Sequence, residues 1–285
     1  MPELPEVETI ARQLDRKLAG KKITKVEILN KSSFGGLSSS VTGDTVTSVS
    51  RKAKTLIFRL KSGLMLLSHL KMTGQMIYED STDRVAGGHP SHDFHAKLPN
   101  GHTRVVIHFD DGAKLFFNDL RKFGWVRVVD KEGFLTYFQN YGPDAIPTVD
   151  ANYLMRKAIR RPRSSIKRFL LDQSIVSGIG NIYADEILFE ARLHPETPVS
   201  NLKKEQWSAL ATIISAKLLF ATEKGGTTDN DYVNAFGEKG GMQDFLNVYH
   251  KTGTPCPRNC GGKIERIKVA GRSTHYCPVC QKGSK

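Results

Sequence analysis

The chain has 285 residues, enough for two domains with real cores, and its 42 Lys and Arg exceed 29 Asp and Glu to leave a net charge of +13. The excess is concentrated: residues 156–168 hold seven basic and no acidic side chains, and residues 251–285 hold eight basic ones against the single Glu265. Two such segments point to a polyanionic partner, nucleic acid before a merely solvated surface. A membrane role is excluded by the absence of a long apolar run, Leu64 to Leu67 being only strand-sized, and Glu3, Glu6, Glu8 and Arg12 leave no room for a signal-peptide core. A cytoplasmic protein is expected, its cysteines reduced or metal-bound.

In chain order, Val7, Ile10, Ala11, Leu14 and Leu18 share one face of a helix that Gly20 closes. Strand patterns follow at Ile23 to Leu29, Val46 to Ser50, Thr55 to Leu60, Leu64 to His69, Gln75 to Tyr78, Arg104 to Phe109, Ala113 to Asn118 and Trp125 to Val129. Lys61-Ser62-Gly63 and Asp110-Asp111-Gly112 supply tight turns, and short strands at this spacing predict a β-sandwich or a barrel. Near Tyr141-Gly142-Pro143 the pattern changes to helices, clearest at Ile166 to Leu171, Ile182 to Leu193 and Leu202 to Ala221. Gly225 to Gly241 reads as a long loop before a cysteine module. The expected fold is multidomain α+β: an N-terminal β-sandwich with an N-terminal helix over 1–135, a linker over 136–150, a helical domain over 151–248 and a zinc-finger hairpin over 249–285.

All four cysteines fall in Cys256-x3-Cys260-x16-Cys277-x2-Cys280, two knuckles that suit one tetrahedral, structural zinc ion with no open position for catalysis. Ile264, Ile267 and Val269 between them suit a two-stranded ribbon with Arg272 at its turn. Ser177-Gly178-Ile179-Gly180-Asn181 opens the Ile182 helix. It is either a plain glycine turn or a place where a phosphate meets helix amides, with Asn181 as cap or donor; Arg160, Arg161, Arg163 and Lys167 just upstream favour the phosphate. Met72, after His69-Leu70-Lys71, and Phe123, in Asp119-Leu120-Arg121-Lys122-Phe123-Gly124, are core residues or wedges for a base stack. His89, His92, His95 and His102 in a Gly/Pro-rich stretch read as solvated loop histidines before a second metal site.

The opening Pro2-Glu3-Leu4-Pro5-Glu6-Val7-Glu8 has two readings. Pro5 and the carboxylates suit a helix start. If Met1 is trimmed, Pro2 also becomes a secondary amine able to attack a sugar aldehyde carbon, with Glu3 in reach to move a proton.

Together these motifs resemble the formamidopyrimidine-DNA glycosylase family nearly end to end; the related endonuclease VIII proteins usually carry glycine where Leu4 stands. The resemblance implies a bifunctional DNA glycosylase and AP lyase of base excision repair that flips out and excises oxidised purines, including 8-oxoguanine and formamidopyrimidines, and then nicks the strand by β,δ-elimination. Excision of oxidised pyrimidines is the alternative. It makes Pro2 the nucleophile, Glu3 the acid, Lys54 a β-strand lysine for β-elimination and Arg272 the residue for δ-elimination. It makes Met72, Arg121 and Phe123 the gap fillers, His102, Arg161, Lys167 and Asn181 DNA contacts, and Ile166 to Ile182 a helix-two-turns-helix motif. Gly225 to Gly241 would close over the everted base. The implied partner is duplex DNA with damaged bases or abasic sites, bound by a monomer on the nucleoid, and the implied cofactor is one structural Zn2+. Two departures stand out: Asn259 is an extra residue in the first knuckle, and Ser81 to Gly101 is longer than usual.

Overall fold

The computed structural model describes residues 1–88, 96–227 and 241–283. They form two compact units, Met1–Gln139 with Lys224–Gln243, and Asn140–Glu223 with Asp244–Lys285.

The first unit opens with helix α1 (Leu4–Leu18). Pro5 sits in its first turn and Arg16 and Lys17 in its last, where the helix dipole favours cations. Val7, Ile10, Leu14 and Leu18 are at most 1 % exposed, and burying each such side chain contributes roughly 1.5–3 kcal/mol. Among the described residues ten strands follow: β1 (Ile23–Ile28), β2 (Phe34–Gly35), β3 (Val46–Lys52), β4 (Thr55–Leu60), β5 (Met65–His69), β6 (Gly74–Glu79), β7 (Arg84–Gly88), β8 (Thr103–Phe109), β9 (Lys114–Asp119) and β10 (Trp125–Val129). They make two five-stranded sheets, ordered β1-β8-β9-β6-β7 and β2-β10-β5-β4-β3, with only β2 and β10 parallel. One apolar core joins Phe58, Leu66 and Val126 of the second sheet to Met76, Tyr78, Val105 and Phe117 of the first, and α1 packs into it. This is the sandwich of the two expected alternatives. Helix α2 (Lys131–Phe138) follows β10, its first turn capped by Asp130.

Part of the long Ser81 to Gly101 stretch turns out to be the edge strand β7, which pairs with β6. Gly87 lets that strand approach α1: a Cβ there would lie 2.5 Å from Cγ1 of Ile10. His89, His92 and His95 lie outside the described residues, as does most of the Gly225 to Gly241 loop.

The second unit holds helices α3 (Ala151–Ile159), α4 (Ile166–Leu171), α5 (Asn181–Glu190) and α6 (Lys204–Glu223) and a ribbon of strands β11 (Glu265–Val269) and β12 (Arg272–Tyr276). Asp150 and Ser165 cap α3 and α4 through the amides of Tyr153 and Arg168. Helix α5 is buried from Ile182 through Phe189, Asp185 and Glu186 included. Charges in such a place need partners. Glu186 finds them in the backbone amides of Asn247, Val248 and Tyr249, at 2.9–3.0 Å. Among the described residues, no helix is long and apolar enough to cross a membrane.

Candidate active site and nucleic-acid interface

Pro2 and Glu3 are both buried, directly ahead of α1. Glu3 is the helix N-cap in a capping box: the Glu6 carboxylate accepts from the Glu3 amide at 2.8 Å, and the Glu3 carboxylate faces back to the Glu6 amide. The other oxygen of Glu6 accepts from the Thr227 amide at 2.7 Å. The chain leaving α6 is thus pinned to the start of α1, closely enough that a Cβ on Gly226 would lie 2.8 Å from the Glu6 carboxylate.

Lys54 is 6 % exposed and stands in the turn between β3 and β4, after Ala53 at φ 54°, rather than within a strand. Arg51 ties this turn to α1, its Nε donating to Glu8 at 2.8 Å and a terminal nitrogen to the Ala53 carbonyl at 3.4 Å. Lys54 and Lys71 act electrostatically on His69. Burial first, then these two positive charges, push the His69 imidazole down to about 3. Its neutral Nδ1 accepts from the Lys71 amide at 3.0 Å and supports Lys71 in the left-handed region, φ 52°.

Three turns meet at Asp119, which is 1 % exposed. Its side chain accepts from the hydroxyl of Thr73, beside Met72, and from the amides of Arg121 at 3.2 Å and Gly124 at 2.6 Å. Its own amide donates to the His102 carbonyl at 2.9 Å. Arg104 braces the same junction, reaching the Asp119 carbonyl at 2.8 Å and the Gly101 carbonyl at 3.1 Å. Met72 and Phe123 are 42 % and 56 % exposed. They are surface groups and not core, and the Arg121 guanidinium lies 4.8 Å from the Phe123 ring centroid. His102 is half-buried beside them. Asp119, Arg104 and His69 were given no role in the sequence; their only signal was a polar residue at a position where the strand pattern demanded burial, and Glu6 was read only as a helix-start carboxylate.

In the second unit, the glycine turn precedes α5 as expected, with Gly178 at φ 104° and its amide bonded to Gln173 at 2.9 Å. Asn181 is the first residue of α5 and does not cap it; its Nδ2 donates to the Ser273 carbonyl at 2.9 Å. Arg161 is exposed and paired with Asp172. Arg272 is exposed at the start of β12.

Lys167 requires a correction. The resemblance made it a DNA contact and the basic run supported that, yet it is 0 % exposed and its ammonium is paired with Asp185 at 2.6 Å. A phosphate cannot reach it, because it lies on the inward face of α4 with Ile166, Phe169 and Leu170.

The four cysteine sulfurs lie within 4.8 Å of one another, with Cys256–Cys280 and Cys260–Cys277 separations of 3.8 and 3.5 Å. A tetrahedral zinc ion with bonds of about 2.3 Å sets its sulfurs about 3.8 Å apart, so the set fits one structural ion. Asn259 takes up the extra length in the left-handed region, φ 53°, followed by Gly261 at φ 78°. Burial raises the Cys256 thiol to about 12, and the Gly262 amide draws Cys260 down to about 7. The site packs on Phe189 and Val248, and Gln281 anchors it through the Cys277 amide and the Leu193 carbonyl at 2.9 and 2.8 Å.

Three family models match the chain in succession: the formamidopyrimidine-DNA glycosylase N-terminal domain over residues 1–126, its H2TH domain over 141–232, and a zinc finger found in FPG and IleRS over 253–283. A formamidopyrimidine-DNA glycosylase of Ligilactobacillus salivarius is 40% identical over 99% of each chain, and one of Streptococcus pneumoniae 38% identical over 99% of each. Among solved structures, a Lactococcus lactis FPG mutant with Fapy-dG-containing DNA superposes with a TM-score of 0.87 at 36% identity, over 99% of this chain and 100% of that one. The Lactococcus lactis enzyme with abasic-site DNA gives 0.86 at 35%, over 98% and 99%. With both sandwich and ribbon in place and the match running from end to end, the chain belongs to the formamidopyrimidine-DNA glycosylase family.

Proposed function

We propose that the chain is a bifunctional DNA glycosylase and AP lyase that excises oxidised purines from duplex DNA and nicks the strand by β,δ-elimination, acting in the cytoplasm on the nucleoid. The observation that carries the reading is the placement of Pro2 and Glu3: both are buried immediately before the positive end of α1. The amine freed by removal of Met1 is placed there, next to Glu3, to act as the nucleophile. Its nitrogen attacks C1′, the glycosidic bond breaks, and the base leaves with the electron pair and takes up a proton. Glu3 gives a proton to O4′ as the ring opens, which leaves a C1′ iminium.

The iminium acidifies C2′. Lys54 takes that proton and the C3′–O bond breaks. Loss of the C4′ proton, with Arg272 at the C5′ phosphate, then breaks the C5′–O bond, and water frees Pro2 from the unsaturated aldehyde. Met72, Arg121 and Phe123, held together through Asp119 and Thr73, fill the gap left by the flipped nucleotide. His102, Arg161 and Asn181 serve the phosphate backbone. Cys256, Cys260, Cys277 and Cys280 would hold a structural zinc ion that ties together the two ends of the ribbon.

The test is borohydride trapping on a duplex containing 8-oxoguanine, with intact-mass measurement confirming loss of Met1. A covalent adduct is expected from the parent and much less of it from Pro2→Gly, whose terminal amine is primary. Equal trapping by the two overturns the mechanism.

A further inference from the structure

We propose that Lys167 is a positioning residue: its buried ion pair with Asp185 docks strand β12 onto helices α4 and α5, and so determines where Arg272 stands. The inference rests on the reading of Arg272 as the residue of the last elimination step. Both partners are 0 % exposed. A buried ion pair is a poor source of stability, because removing two charges from water offsets most of their attraction, but it can fix a register.

Here the register is that of β12. The Lys167 ammonium donates to Asp185 at 2.6 Å, to the Ser273 carbonyl at 3.0 Å and to the Thr274 hydroxyl at 2.8 Å. The Thr274 hydroxyl in turn donates to the Arg272 carbonyl at 3.2 Å, so the chain of bonds runs from α4 to the backbone of Arg272 itself. The second oxygen of Asp185 accepts from the His275 amide at 2.8 Å and lies 3.2 Å from its Nδ1. Asn181 adds a second donor on the Ser273 carbonyl at 2.9 Å. Residues 273, 274 and 275 are therefore all held by α4 and α5, directly after Arg272. A two-stranded ribbon is marginal by itself, and the Arg272 side chain is exposed. Its location follows from the docking of its backbone.

The experiment compares the parent with Lys167→Met/Asp185→Leu, which removes both charges and leaves neither one stranded in the core. Thr274→Val is the milder variant; it cuts the bond chain and keeps the ion pair. Zinc content is expected to stay at about one per chain in all three. In the double variant the His275 amide should exchange with solvent at least tenfold faster. Its ratio of δ- to β-elimination product should fall at least tenfold, while single-turnover base release stays within about threefold. Thr274→Val should shift the product ratio the same way by a smaller factor. Parental exchange at His275 overturns the docking role. Parental product partition, in a background where Arg272→Ala abolishes δ-product, overturns the link to Arg272. A fall of about one in the salt slope of duplex binding would make Lys167 a phosphate ligand and also overturn it. If Arg272→Ala itself leaves the δ-product unchanged, the role given to Arg272 fails, and His275 exchange still decides the role of Lys167.

Discussion

Acid should weaken this protein through His69 in a way that can be calculated. The side chain is 7 % exposed, and its folded value of about 3 lies far below the ordinary 6.5. When a histidine is depressed in the folded state, the unfolded chain takes up a proton first. Stability is then intact above about pH 6.5 and is lost as pH falls from there toward 3. Each unit is worth about 1.4 kcal/mol. From pH 7.5 to pH 5 this one group should remove about 2 kcal/mol, a figure set by the unfolded value because the folded one is well below pH 5. The comparison is urea unfolding of the parent and of His69→Asn at both pH values. The asparagine oxygen can still accept from the Lys71 amide, and the carboxylates and cysteines that titrate in the same range are common to both proteins. The parent should lose about 2 kcal/mol more than the variant. Parallel losses would refute the claim that His69 is held neutral by burial and by the Lys71 and Lys54 charges.

Two further outcomes follow from single residues. In Asp119→Asn an amide nitrogen would face one of the donor amides of Arg121 or Gly124; unfolding should cost about 1–3 kcal/mol less, and fluorescence of a base analogue beside the lesion should report slower eversion. At Asn259, Gly should be neutral or slightly stabilising, whereas a β-branched Val at φ 53° should destabilise the knuckle by about 1–2 kcal/mol and raise the rate of zinc loss to a chelator.

What was readable in the sequence was local. The stripe from Val7 to Leu18, the glycine turns at Gly63 and Gly112 and the cysteine spacing each contain their own signal within a few residues, and α1, the hairpins and the ribbon stand where expected. Strand β7 was missed because two of its five residues are glycines, so it shows no alternation and has only its pairing with β6 to define it. Helix α3 lies in the stretch read as helical from residue 151 but was not singled out, its apolar face being short and Ile159 left 76 % exposed. The resemblance, supported by the basic run over residues 156–168, misplaced Lys167. Ile166, Phe169 and Leu170 mark the apolar face of α4, and Lys167, about 100° round the helix from Ile166, shows its burial only in the folded structure.

The site raises a point about charge in a protein of net +13. Among its exposed cations, Arg161 can serve a phosphate through water-facing chemistry that the neighbouring Arg160 and Arg163 partly duplicate. The buried carboxylates have no such substitutes. Glu6 joins segments 221 residues apart, Asp119 joins segments 46 apart, and Asp185 joins segments 90 apart. No window of sequence spans these pairs, which is why none of the three was recognised. Each nevertheless decides where a group with a proposed role stands: Glu6 the start of α1 beside Pro2, Asp119 the turns of Met72 and Phe123, and Asp185 the strand of Arg272. Excess positive charge draws the polyanion in, and a few buried negative charges hold the reacting groups in place. Substitutions at these carboxylates should therefore alter the partition among reaction steps, while a single substitution at Arg161 should mainly alter affinity and its dependence on salt.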